Sequence, residues 1–136
     1  MILTRRFKVE KLVRDKMPKR MQKLGGRVEI HYLDSQSYLR QLKLKLLEEA
    51  EELLASSTPK DIKEEIADVL EVLHAIAKCH GLQFEHIEKK RIQKQQERGG
   101  FEKAIFVETV EVDVLEDSHP ILEYCLANPE EYPEIL

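Results

Sequence analysis

The sequence has few cysteines and lacks long apolar runs. Cys79 and Cys125 are the only cysteines among 136 residues, and they lie in unrelated contexts, so a disulfide framework is not expected. No run of about 18 apolar residues is present, which disfavours a membrane-spanning helix. The first residues, MILTRRFKVEKLVRDK, contain no apolar core of signal-peptide length. We therefore expect a protein of the reducing cytoplasm without a membrane partner.

Several familiar functional signatures are also missing. The chain contains neither G-x-x-x-x-G-K-[ST] nor G-x-G-x-x-G, and it shows no Cys/His nucleophile arrangement. Its 22 Lys+Arg and 26 Asp+Glu give a formal net charge of -4, so no general attraction to nucleic acid is expected. The charges are nevertheless segregated, because acidic residues crowd 48–68 and basic residues crowd 1–27 and 89–98. This distribution predicts two facing walls of opposite charge.

Composition and local signals predict one folded, mainly helical domain. With 42% hydrophobic and 35% charged residues, a chain of this length can bury a core, and we expect residues 1–136 to form a single domain. Asp34 and Thr58-Pro59 are typical helix starts, whereas Gly81 is a typical stop. The predicted helices are about 15–24, 35–55, 59–80 and 84–98, followed by a short helix near Pro120 and an irregular end.

Two segments favour β structure. Val28 to Leu33 contains Ile30 and Tyr32 in partial alternation, and Ala104 to Leu115 is dominated by Ile, Phe and Val. These segments could pair with each other. The predicted fold is therefore mainly α, an antiparallel helical bundle with a small accessory β pair.

Carboxylates interrupt the apolar faces of the two long helices. Glu49 falls at the border of one apolar arc, with Glu52 on the same flank. Glu65 lies within the apolar arc of the next helix, and Asp68 follows at i+3 on the same side. The short linker makes the helices antiparallel neighbours, so the two pairs can face each other.

Four facing carboxylates predict a metal site. Burial of unpaired carboxylates costs on the order of several kcal/mol each, so a cation is needed to neutralise them. An all-oxygen ligand set favours Mg²⁺, allows Mn²⁺ and disfavours zinc. Because Mg²⁺ commonly bridges to phosphates, the site suggests phosphate chemistry. Glu48, Glu51 and Glu64 are instead interpreted as a solvated face.

The third long helix changes from apolar to cationic along one stripe. Phe84 and Ile87 begin an arc that continues as Arg91, Lys94 and Arg98. A row of cations can bind a polyphosphate that a metal also holds. The alternative, that these cations pair with glutamates of neighbouring helices, stays open at this point.

The carboxylate spacing resembles a known signature. Glu49-x-x-Glu52, twelve intervening residues and Glu65-x-x-Asp68 resemble the ExxE…ExxD pattern of the all-α nucleotide pyrophosphohydrolases, which include MazG-type enzymes, dimeric dUTPases and phosphoribosyl-ATP pyrophosphohydrolase. Four sequence segments in and around this signature resemble the phosphoribosyl-ATP pyrophosphohydrolase-like branch: KLVRDKMP (11–18), KLLEEAEEL (45–53), EEIADVLEVLHAIA (64–77) and RGGFEKAIF (98–106).

The resemblance covers about residues 8–108 and leaves 109–136 as a C-terminal extension. It implies a helical bundle that forms a homodimer or homotetramer. It also implies Mg²⁺-dependent cleavage of a nucleotide between its α and β phosphates, which releases a monophosphate and pyrophosphate. The implied metal ligands are Glu49, Glu52, Glu65 and Asp68. Lys94 and Arg98 are the implied phosphate-binding residues, and Lys45, one turn before Glu49, is a further substrate-binding candidate.

The expected mechanism is attack on the α phosphorus by a metal-activated water. Either Glu49 or Glu48 could accept the proton of that water. Two alternatives stay open: a non-catalytic helical dimerisation module, and a nucleotide sensor that binds metal and nucleotide with negligible turnover. The sequence does not name the nucleotide.

Overall fold

Five helices make up the regular structure in the part of this computed structural model that is described here, residues 1, 3–114 and 119–136. The helices are α1 (Met17–Lys23), α2 (Ser35–Ala55), α3 (Pro59–Cys79), α4 (Phe84–Arg98) and α5 (Pro120–Ala127). The chain divides into two units, 1–97 and 98–136, and each is described by itself. The mainly helical prediction is confirmed.

The two long helices begin at the predicted capping residues. The side chain of Asp34 accepts a hydrogen bond from the backbone N–H of Ser37 at 2.8 Å, which satisfies a donor in the first turn of α2. The hydroxyl of Thr58 accepts from the N–H of Asp61 at 3.2 Å, and Pro59 occupies the first turn of α3. Local side-chain chemistry therefore fixes where both helices start.

Glycine ends α3 through a Schellman arrangement. Gly81 has a φ of 64°, a left-handed conformation that glycine adopts without steric cost. Its N–H donates to the carbonyl of Lys78 at 3.1 Å, while the N–H of Leu82 donates to the carbonyl of Ala77 at 2.9 Å. The chain then turns directly into α4.

Helices α2 and α3 pack against each other and form the core of the first unit. Only residues 56–58 connect them, so they run antiparallel. Leu42 of α2 and Val72 and Ala77 of α3 are the buried apolar residues of these two helices. The packing brings the carboxylate-bearing faces of both helices together.

The start of α4 is attached to α3 by an aromatic contact. The rings of His74 and Phe84 are stacked, with centroids 3.6 Å apart and an interplanar angle of 18°. Stacking of this kind adds to the burial of apolar area. It fixes the direction in which α4 leaves the turn at Gly81.

The predicted accessory β pair is wrong for the described residues. Segments 28–33 and 104–114 contain no strand, and Leu115 lies outside the described part of the chain. Tyr32 is 92% exposed and Phe106 is 87% exposed, so neither segment has a buried face. A β propensity leads to a strand only where a partner ladder and a packed surface are available.

The second unit contains the predicted short helix, α5, and an irregular end. The side-chain amide of Asn128 donates to the carbonyl of Tyr124 at 2.8 Å, and the rings of Tyr124 and Tyr132 meet edge to face at 5.4 Å. These contacts hold the segment after α5 against the helix. Across both units, no described helix has the length and apolarity needed to cross a bilayer.

Candidate active site

Three of the four predicted metal-binding carboxylates meet at the α2–α3 contact. Glu49 of α2 and Glu65 and Asp68 of α3 each offer one carboxylate oxygen, and these oxygens all lie within 4.8 Å of one another. We call this group the acidic cluster. The carboxylate of Glu52 adjoins it, because it interacts with those of both Glu49 and Glu65.

Two oxygens of the acidic cluster are buried without a hydrogen-bond donor. Glu49 is only 7% exposed, and no described residue donates to its Oε2 atom or to Oε2 of Glu65. A buried acceptor without a partner is unfavourable by about 1–3 kcal/mol, and more if it is charged. The cluster therefore needs a proton or a cation.

The electrostatics of the acidic cluster disfavour full ionisation. Burial is the main cause that raises the pKa of Glu49 to about 7, and the neighbouring carboxylates of Glu52 and Asp68 add to the rise, while Lys45 opposes it. Burial also raises the pKa of Glu65; a hydrogen bond with Glu49 opposes the rise, and the negative charges of Glu52 and Asp68 add to it. A divalent cation would relieve this repulsion. The all-oxygen donor set therefore fits a hard cation such as Mg²⁺.

Lys45 and Glu48 lie beside the acidic cluster. The ammonium nitrogen of Lys45 is 3.6 Å from Oε1 of Glu49 and 3.6 Å from Oε2 of Glu48. Lys45 is thus a cation at the edge of the acidic cluster, and its role in substrate binding stays a prediction. Glu48, a predicted solvated residue and an alternative candidate for the general base, lies outside the cluster and forms ion pairs with Lys11 and Lys45.

Two N-terminal cations contact the site, and no role was predicted for either of them. Nη2 of Arg14 is 2.7 Å from Oδ1 of Asp68, and the nitrogen of Lys11 is 3.3 Å from Oε1 of Glu48. Both belong to the segment KLVRDKMP (11–18), and the resemblance of this segment to one branch of the superfamily is the only feature of the sequence that singles them out. These two ion pairs join the basic N-terminal segment to the acidic segment 48–68, while the predicted facing walls of opposite charge stay a prediction.

The cations of α4 differ in their surroundings. The Nε atom of Arg91 lies 3.0 Å from both carboxylate oxygens of Glu88, one turn earlier on the same helix, so its partner is not on a neighbouring helix. This pair lowers the pKa of Glu88. Lys94 is exposed. Arg98 is the last residue of α4 and the first residue of the second unit. Substrate binding by these three residues stays a prediction.

Comparison with known proteins gives one finding. Residues 37–100 match the family model of the MazG nucleotide pyrophosphohydrolase domain. No curated protein and no solved structure gave a match. The matched range includes the acidic cluster, Glu52 and all of α4. The resemblance of this chain to the MazG-like, all-α nucleotide pyrophosphohydrolases is thereby confirmed for residues 37–100.

Proposed function

We propose that this protein is an Mg²⁺-dependent nucleotide pyrophosphohydrolase that cleaves the α–β phosphoanhydride of a nucleoside triphosphate or a related nucleotide. The products are a nucleoside monophosphate and pyrophosphate. The observation that carries the proposal is the pair of buried, unpartnered oxygens of Glu49 and Glu65, which lie within the range matched by the family model. Such oxygens suit a cation that also binds phosphate.

Glu49, Glu65 and Asp68 would hold the cation, with Glu52 as the fourth ligand. When bound there, Mg²⁺ supplies neutralisation of phosphate charge and a lowered pKa of a coordinated water. Mn²⁺ has a similar preference for oxygen ligands and is the substitute that we expect. Membership in the phosphoribosyl-ATP pyrophosphohydrolase-like branch is also part of the proposal, and it rests on the sequence segments that flank these residues.

The remaining residues of the site orient the nucleotide and accept a proton. Lys45, beside Glu49, can contact a phosphate oxygen at the edge of the acidic cluster. Lys94 and Arg98 are assigned to phosphate binding from their positions on α4. Glu48 and Glu49 are both candidates for the general base. The variants Glu48→Gln and Glu49→Gln distinguish the two candidates. Only Glu49→Gln should weaken binding of the cation, so a loss of turnover in Glu48→Gln with unchanged cation binding would identify Glu48 as the base.

The test is an assay of pyrophosphate release from a panel of nucleoside triphosphates with Mg²⁺ and with EDTA. We expect release that depends on Mg²⁺ with at least one nucleotide. The variant Glu65→Gln should abolish it, whereas Glu64→Gln, which removes an exposed carboxylate from the adjacent position, should not. A nucleotide sensor would bind Mn²⁺ and nucleotide without release of pyrophosphate, and a dimerisation module would bind neither. Either result would overturn the proposal.

A further inference from the structure

One short N-terminal segment contacts both helices that form the acidic cluster. Lys11 reaches Glu48 of α2, and Arg14 reaches Asp68 of α3. Residues 11 and 14 are three positions apart, so the segment spans the two helices next to the site. Arg14 therefore contacts the acidic cluster itself, and Lys11 contacts Glu48 beside it.

An open cleft lies between this segment and α2. Its volume is about 180 Å³, and Lys11, Lys45, Glu48 and the apolar side chain of Leu44 are among the residues that line it. Such a volume corresponds to several water molecules at roughly 30 Å³ each, which is enough for phosphate groups. Two ammonium groups thus border a space beside the acidic cluster.

The ion pairs of Lys11 and Arg14 are easily exchanged. Their side chains are 57% and 58% exposed, and exposed pairs of this kind contribute roughly 0–1 kcal/mol. A cation bound to the carboxylates would reduce the attraction that holds Arg14 at Asp68. The guanidinium would then be available for an anion, and its fork of donors matches two phosphate oxygens.

We propose that Lys11 and Arg14, together with Lys45, bind the pyrophosphoryl portion of the nucleotide substrate. The inference rests on the proposed function, because it assigns residues to the leaving group of that reaction. Three cations match pyrophosphate, which carries more negative charge than a monophosphate. In the absence of substrate, Lys11 and Arg14 pair with carboxylates, and they exchange these partners for phosphate oxygens when the nucleotide binds.

Calorimetric titration of inorganic pyrophosphate in the presence of Mn²⁺ tests this assignment. The variants are Lys11→Gln and Arg14→Gln, and Lys19→Gln, an exposed lysine of α1, is the matched control. Each test variant should weaken pyrophosphate binding by about tenfold or more, as expected for loss of a charge-assisted contact. The control should bind as the unchanged protein does, and Arg14→Lys should recover part of the loss.

Mn²⁺ titration without pyrophosphate, together with melting curves, separates binding from folding. Mn²⁺ affinity should be retained in Lys11→Gln and should be retained or increased in Arg14→Gln, which loses a competitor for Asp68. Pyrophosphate affinity equal to the control, or a joint fall of Mn²⁺ affinity and Tm, would overturn the inference. Equal weakening for AMP would overturn the assignment to the pyrophosphoryl portion.

The same titrations distinguish this inference from the proposed function. If the unchanged protein binds Mn²⁺ and pyrophosphate but cleaves no nucleotide, the proposed function fails, and the loss of pyrophosphate binding in the two variants still supports a pyrophosphate subsite. If the protein cleaves nucleotides and the two variants behave as the control does, the inference alone fails. If the unchanged protein does not bind pyrophosphate, the inference is wrong.

Discussion

Glu49 and Glu65 lie on different helices, yet each has a buried Oε2 atom to which no described residue donates a hydrogen bond. The packing of α2 on α3 brings the two carboxylates together. Full ionisation of this arrangement is unfavourable in the absence of a cation, because burial raises the pKa of both side chains and the charges of Glu52 and Asp68 add to the rise. The arrangement therefore destabilises the metal-free protein, and a bound cation would stabilise it.

The first prediction concerns the charge of Glu65. In Glu65→Gln the side-chain volume is kept while a charge that binds the cation is lost, so pyrophosphate release should fall by at least about 100-fold. The Tm in EDTA should be unchanged or higher, because one of the repelling carboxylates is removed. Assays and melting curves of Glu65→Gln and of the control Glu64→Gln check both points. Undiminished turnover in Glu65→Gln would exclude the acidic cluster as the active site.

The second prediction follows from the raised pKa of Glu49, which is about 7 in the folded, metal-free protein. Between its ordinary pKa of 4.5 and about 7, the folded state retains a proton that the unfolded state has released. The free energy of unfolding should therefore decrease as the pH rises through this window and change little above it. Melting curves in EDTA across this range measure the effect.

Metal binding should show the opposite dependence on pH. Because the proton on Glu49 must leave before a cation binds, Mn²⁺ affinity should fall by up to about tenfold per pH unit below 7. The variant Glu49→Gln should flatten the pH dependence of the metal-free Tm. If the metal-free Tm of Glu49→Gln keeps the same pH dependence, a titratable group other than Glu49 causes that dependence.

The third prediction concerns Arg98. If its guanidinium contacts phosphate, Arg98→Ala should lose about 1.5–3 kcal/mol of transition-state binding, or roughly one to two orders of magnitude in kcat/KM. Mn²⁺ affinity should be unchanged. Lys89→Ala, at an exposed position of α4 outside the cationic stripe, is the comparison and should leave kcat/KM unchanged. A lower Tm with unchanged kcat/KM in Arg98→Ala would instead indicate a structural role.

The fourth prediction is self-association. Helices α2 and α3 leave large apolar side chains about half exposed or more, namely Leu44, Leu47, Leu54, Ile66 and Leu70. Exposed large apolar side chains on both helices of the hairpin favour self-association, so we expect a homodimer or homotetramer. Light scattering at micromolar concentration should give a mass of at least twice 15.9 kDa.

A variant pair can locate that interface. Leu47→Glu should shift the mass toward the monomer, whereas Arg40→Glu, also an exposed position of α2, should not. A particle of 15.9 kDa for the unchanged protein would contradict the prediction.

The helices could be predicted because their ends depend on neighbouring residues. Asp34 and Thr58 cap within three positions, and Gly81 provides the left-handed conformation that ends α3. The strands could not be predicted correctly, since a β-favouring segment such as 28–33 needs a partner that lies elsewhere in the chain. Helix ends could thus be predicted from neighbouring residues, whereas strand pairing between distant segments could not.

The same distinction applies to the site. Helical periodicity placed Glu49 and Glu65 on the packed faces, and the structure brings both into the acidic cluster with Asp68. The contact between Arg14 and Asp68 spans 54 positions, and no local pattern indicates it. The pair of Arg91 with Glu88 was readable from its i−3 spacing, but the sequence interpretation considered only partners on neighbouring helices.

The three-residue connection at 56–58 has a consequence for how the site is assembled. Glu49 and Asp68, the outermost members of the acidic cluster, are only 19 positions apart along the chain (68 − 49 = 19). Closing so short a loop has a small entropic cost, and contacts of low sequence separation form early in folding. We expect the ligand set to be complete as soon as one helical hairpin has formed. The proposed metal ligands are therefore encoded in a single local hairpin, and the segments before and after it can diverge without dismantling them.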